Sequence, residues 1–125
     1  MHFLADRPRL LLAIRILFWI ALAVLLFMAL DPHPPQIEGP PGSDKVEHML
    51  GFATLTLLAG LGYPRLPLLR LGEHLSFLGA MIEVAQAMPI VHRDCDIFDW
   101  VADTVAIAVV LAFISIVRKG AMTGK

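Results

Sequence analysis

Apolar residues in this chain come in four long blocks, with none of the two-residue alternation of a half-buried strand. The first runs from Leu10 to Leu30, 21 residues broken only by Arg15. At a rise of about 1.5 Å per residue it covers the roughly 30 Å hydrocarbon core of a bilayer, which predicts a transmembrane helix over 10–30. The stretch 31–43 holds five prolines in thirteen residues and cannot continue a helix, so it reads as a Pro-rich loop on the external side. A second helix is predicted over 44–61, opened by Ser43 or Asp44 as N-cap and stopped by Gly62 and Pro64. A third is predicted over 71–88, ended by Pro89, and a fourth over 97–117, ahead of Arg118 and Lys119. The expected fold is all-α: an integral membrane four-helix bundle forming a single domain over 1–125.

Composition agrees with that class. Of 125 residues, 58% are hydrophobic and 17% charged, with a formal net charge of -1, whereas a soluble domain carries roughly a quarter charged residues. The mean hydropathy is +0.74. These values exclude a disordered chain and a nucleic-acid binder. The single Cys95 excludes an intrachain disulfide and a thiolate zinc site. Arg7 and Arg9 before an apolar run also resemble the start of a signal peptide, but Phe27-Met28-Ala29 offers no small-x-small cleavage pattern, so the first helix is read as retained.

Placement of charge then sets an orientation. Arg7, Arg9, Arg15, Arg65, Arg70, Arg118, Lys119 and Lys125 fall on one side of the four predicted spans, and Lys45 and Arg93 on the other. This asymmetry puts both termini in the cytoplasm, N-in/C-in. Arg15 reads as an anchor snorkelling to the headgroups, and Trp100 as part of an interfacial aromatic belt. Glycines 51, 60 and 79, with Ala53 and Ala80, allow close helix approach.

With that topology the polar residues inside the apolar blocks gather at one level. Asp44 and His48 are four apart and share a face of the second helix; Glu83 and Gln86, three apart, share a face of the third. Asp96, Asp99 and Asp103 follow i, i+3, i+7 on the fourth. Glu83 lies six residues before Pro89 and Asp103 six after Ile97, each about 9 Å from its helix end. In that outer third of the bilayer a charge facing lipid costs on the order of 2.5–3.5 kcal/mol, so these groups must face inward or line a wet cavity. Asp96 and Ser43 read more naturally as helix caps than as site residues.

Several chemistries fit such a layer. The groups can pair among themselves and hold the helices in register, at roughly 0.6–2 kcal/mol per contact. His48 and Glu83 are the candidate catalytic acid or base for an intramembrane enzyme acting on a lipid-linked head group, with Lys45 and Arg93 holding a phosphate. A metal could use His48, Glu83, Asp99 and Asp103, although no diagnostic ligand spacing accompanies them. The cytoplasmic halves of the helices are dry, which disfavours transport across the whole membrane. No cofactor is expected.

Asp44-Lys45-Val46-Glu47-His48, then Glu83-Val84-Ala85-Gln86, then Arg93 followed six residues later by Asp99, resembles the VanZ-like family of small membrane proteins. The similarity spans Ser43 to Val110; the first helix matches only in being apolar and basic at its start. By resemblance, the family's characteristic polar positions are occupied by Asp44, Lys45, His48, Glu83, Gln86, Arg93 and Asp99. Two positions depart: Asp103 stands where the pattern has Asn, and Ala106 where it has Gly. An added carboxylate removes amide donors and changes the charge there. The resemblance implies a bacterial inner-membrane protein of the cell envelope, whose namesake group is associated with resistance to glycopeptides such as teicoplanin. The partners it implies are the lipid bilayer and a lipid-linked or anionic envelope component. That component would bind in an outward-facing pocket formed by those residues together with Asp103.

Overall fold

The computed structural model describes residues 7–30, 43–88 and 97–123, with side chains over 7–30, 46–88 and 97–120. Four helices make it up: α1 (Pro8–Leu30), α2 (Ser43–Gly62), α3 (Leu68–Gln86) and α4 (Ile97–Thr123). Among the described residues there is no strand. Of the predicted external loop 31–43, only Ser43, the first residue of α2, is described. Pro8 opens α1, where its missing N–H costs nothing and its fixed φ suits a first turn.

α1 and α2 lie within two residues of the predicted bounds, and α3 and α4 depart further. α3 begins three residues early because Pro67, at φ −61 and ψ 135, acts as its N-cap, and the Leu71 N–H donates to the Pro67 carbonyl at 3.2 Å. It stops at Gln86, where Ala87 donates to both Glu83 and Val84 and the last turn tightens. α4 runs past Arg118 and Lys119 to Thr123, since both residues are good helix formers. A charge marks where an apolar block ends, not where a helix does.

The helices alternate in direction. A Cβ at Gly51 of α2 would stand 2.7 Å from Leu25 of α1, and one at Gly62 would stand 3.3 Å from Arg15, so α1 and α2 are antiparallel. Gly60 faces Ile114 of α4, and Gly79 of α3 faces Trp100 and Asp103 of α4. The core is built from Phe18 and Ala29 on α1, Phe52, Leu55 and Ala59 on α2, Leu71, Leu75 and Ile82 on α3, and Ile107 on α4.

Large apolar side chains also cover much of the outside of the bundle. Across its 23 residues α1 buries only Phe18 and Ala29. Trp19 is 58% exposed and Phe27 67%, and Phe98, Phe113 and Ile116 do the same on α4. Helices apolar all round are found as membrane spans and in the cores of large proteins. Two of the four predicted spans, Pro8–Leu30 and Ile97–Gly120, are long and apolar enough to cross a membrane. The apolar part of α2, Val46–Gly62, is shorter. α3 carries Arg70, Glu73, His74 and Glu83 within 19 residues and does not pass on composition.

Candidate functional site

Polar side chains from α2, α3 and α4 are buried: Thr56, Glu83, Gln86 and Asp103 are each less than a tenth exposed. Among the described residues Asp103 is the most buried carboxylate, at 3% exposure. The carboxylates of Glu83 and Asp99 lie within electrostatic reach of it, and its Oδ1 has no hydrogen-bond partner among the described residues. The helices come this close because α3 has Gly79 at the junction. A Cβ there would stand 3.4 Å from Trp100, 3.5 Å from Phe52 and 3.8 Å from Asp103 Oδ2.

A short polar ladder supports the junction from the α3–α4 seam. The half-buried Trp100 donates its Nε1–H to the Ser76 carbonyl at 3.0 Å. Thr104 donates to the Trp100 carbonyl at 2.9 Å, so in the 3.0 Å contact between the Ser76 and Thr104 hydroxyls Ser76 is the donor. Trp100 is therefore a residue of the α3–α4 seam. Thr56 spends its hydroxyl on the Phe52 carbonyl of its own helix, at 2.6 Å.

Gln86 reaches a helix that the sequence reading left out of the site. Its Nε2 donates to the Ala29 carbonyl at the end of α1, at 2.8 Å, and its Oε1 stays buried without a partner among the described residues. Such carbonyls have no intrahelical donor, so Gln86 works as a cap supplied in trans. His48 is half-buried on α2. The neighbouring Glu47 was not singled out in the sequence, yet its Oε1 is another buried acceptor without a partner. The signal was present: Glu47 is a charge inside the second apolar block, set about 100° round the helix from His48. The side chains of Asp44, Lys45 and Arg93 lie outside those described, as do Cys95 and Asp96.

The metal set does not assemble. Among the described residues no three of His, Cys, Asp or Glu form a group able to hold an ion, so His48, Glu83, Asp99 and Asp103 do not make one as they stand. Sharing a helix face is a weaker condition than converging on one point about 2 Å from every ligand atom.

The opposite end of the bundle carries a second polar arrangement. Arg15 is half-buried there: its Nε donates to the Gly62 carbonyl at 2.6 Å, and its guanidinium lies 4.7 Å from the centre of the Tyr63 ring. The Tyr63 hydroxyl accepts from Trp19 Nε1 at 3.1 Å, and the ring packs edge-on against Phe18. Arg118 donates to the Gly60 carbonyl at 3.1 Å and to the Leu66 carbonyl at 3.2 Å. Beside Arg15 a cavity of about 400 Å³ is lined by Leu11, Arg15, Tyr63, Pro64, Arg65 and Leu66. Nothing in the sequence reading pointed to it, although Tyr63, the chain's one tyrosine, stands directly beside Pro64 and Arg65.

No family model, curated protein or solved structure matches the chain.

Proposed function

We propose that this chain is a VanZ-like protein of the bacterial inner membrane. All four helices cross the bilayer, both termini lie in the cytoplasm, and a polar pocket between α2, α3 and α4 opens outward to bind a lipid-linked envelope component. One observation carries the binding reading. Asp103 Oδ1 and Gln86 Oε1 are buried acceptors without partners among the described residues, as is Glu47 Oε1 on α2. An unmet buried acceptor costs about 1–3 kcal/mol, and a ligand bringing hydroxyl or amine donors recovers that cost. Lys45 and Arg93 supply the cations for a phosphate on the same ligand. A link to glycopeptide resistance follows from the resemblance.

The shorter apolar stretch of α2 and the charges of α3 fit this reading if both helices are shielded from lipid by α1 and α4, since polar groups within a membrane face other helices or water. Native mass spectrometry of the protein purified with its cellular lipids tests the proposal. A retained phospholipid-like mass that is lost in Asp103→Leu and in Arg93→Gln supports binding. Retention in Glu83→Gln, with loss of a processed product seen only for wild type, shifts the reading to the intramembrane enzyme. A wild-type protein that retains nothing leaves the polar groups as a register device for the bundle.

A further inference from the structure

We propose a second binding site at the other end of the bundle: the cavity beside Arg15 and Arg65 holds the phosphate of an anionic phospholipid from the cytoplasmic leaflet. The proposal rests on the membrane-spanning, N-in reading above. Three features of the cavity point to this ligand. Its volume of about 400 Å³ admits a phosphorylated head group, and its walls combine two guanidinium groups with the apolar Leu11, Pro64 and Leu66. That is the mixture which a phosphate joined to an acyl glycerol demands.

Arg15 is also held ready. Its Nε is fixed on the Gly62 carbonyl and its plane on the Tyr63 ring, while no described residue takes up its terminal amino groups. A guanidinium whose plane is set by one hydrogen bond and one aromatic face loses little freedom when a phosphate engages the remaining fork. Tyr63 is in turn oriented by Trp19 and Phe18, so four residues of α1 and the α2–α3 connection pre-form one half of the site. Arg65, exposed on the rim, closes the other half. The terminal amino groups of Arg118 are already committed to the Gly60 and Leu66 carbonyls.

Trp19 provides the readout, because it is 58% exposed and bonded to the Tyr63 hydroxyl. The full-length protein carrying Trp100→Phe, which leaves Trp19 as the only tryptophan, is reconstituted into vesicles of phosphatidylcholine. Trp19 fluorescence is then quenched with either phosphatidylglycerol or phosphatidylcholine brominated on the acyl chains. The expected result is stronger quenching by the anionic lipid, with an apparent preference of about fivefold, the effect of one well-placed basic residue near anionic lipid. Arg65→Gln, which touches no described backbone group, abolishes the preference, and Arg70→Gln, an exposed basic residue outside the cavity, leaves it intact.

Equal quenching by the two lipids overturns the site. So does an equal loss of preference in Arg70→Gln and Arg65→Gln, which would mean diffuse attraction to the surface. Competition by millimolar glycerol phosphate overturns the lipid assignment in favour of a soluble organophosphate. Absence of quenching by both lipids is a different failure: it means Trp19 is not in the bilayer, and it removes the membrane reading on which the proposal stands.

Discussion

Arg15 donates its Nε–H to the carbonyl of Gly62 at 2.6 Å, closing the C-terminus of α2 with a side chain from α1. The reason lies in the sequence that follows the helix. Gly60 would normally receive the N–H of residue 64, but that residue is Pro64, and Arg118 fills the place at 3.1 Å. Gly62 would receive Leu66, whose N–H turns instead to Tyr63 at 3.1 Å. Two orphan carbonyls thus draw in two cations from two other helices, at the end of the helix dipole that favours positive charge.

Replacing Arg15 with Lys should therefore destabilise the bundle although the charge is kept. Lysine lacks the fixed fork that serves the Gly62 carbonyl and the Tyr63 ring together. The expected loss is about 1–2 kcal/mol, read as a lower midpoint of thermal unfolding in detergent. Arg65→Gln should stay within about 0.5 kcal/mol of wild type in the same assay, as an exposed substitution does.

Gly60 and Ile114 should behave as a coupled pair. A Cβ on Gly60 would stand 2.5 Å from Ile114 Cδ1, and Ile114 is 2% exposed with little room to swing away. Gly60→Ala alone should destabilise, because overpacking at about 1–3 kcal/mol outweighs the gain of about 1 kcal/mol in helix propensity. Ile114→Val removes the obstructing methyl at a cost of about 0.5–1.5 kcal/mol. The double variant should be more stable than the sum of the two changes by about 1 kcal/mol, measured as a double-mutant cycle.

Much of this architecture was legible in the chain. Unbroken apolar blocks and the prolines at 32–41 give four helices, because helix length and helix breakers act locally. What escaped the reading depends on pairs distant in sequence. Gln86 shares a face with Glu83, as its spacing predicts, but its amide serves the end of α1, and nothing at Ala29 advertises a free carbonyl. The acceptor that Arg15 uses is a backbone carbonyl, which has no identity in a sequence. Among the candidate site residues, the Glu83 and Asp99 carboxylates lie within electrostatic reach of Asp103. The metal reading did not assemble, because periodicity fixes a face and leaves the convergence of side-chain tips undetermined.

Asp103→Asn should raise stability by about 1–2 kcal/mol. The change removes a buried carboxylate set beside Glu83 and Asp99, without altering volume, and supplies an amide donor to a neighbourhood of acceptors. If the pocket binds its ligand through this acceptor, the same variant should retain less of it. Thermal unfolding together with native mass spectrometry measures both effects, and a variant that is destabilised would contradict the argument.

Gln86→Glu should be among the most damaging single-atom exchanges in the chain. It replaces the donor on the Ala29 carbonyl with an acceptor and sets a negative charge at the negative end of α1. A loss of about 2–3 kcal/mol is expected. Gln86→Met should cost less, since it deletes the unpartnered Oε1 together with the lost bond, and the difference between the two variants isolates the electrostatic part.

α1 is fastened near its two ends, by Arg15 on Gly62 and by Gln86 on Ala29, with only Phe18 and Ala29 buried along its length. The latch at its far end asks nothing of α1 except a carbonyl, which every residue carries. Most of its surface need only be greasy. Apart from Arg15, Phe18, Trp19, Ala29 and the leucines that pack on the core, this helix has wide latitude to drift while its position in the bundle stays the same. The helix that buries the fewest of its described residues is therefore the one whose ancestry would be hardest to trace from sequence.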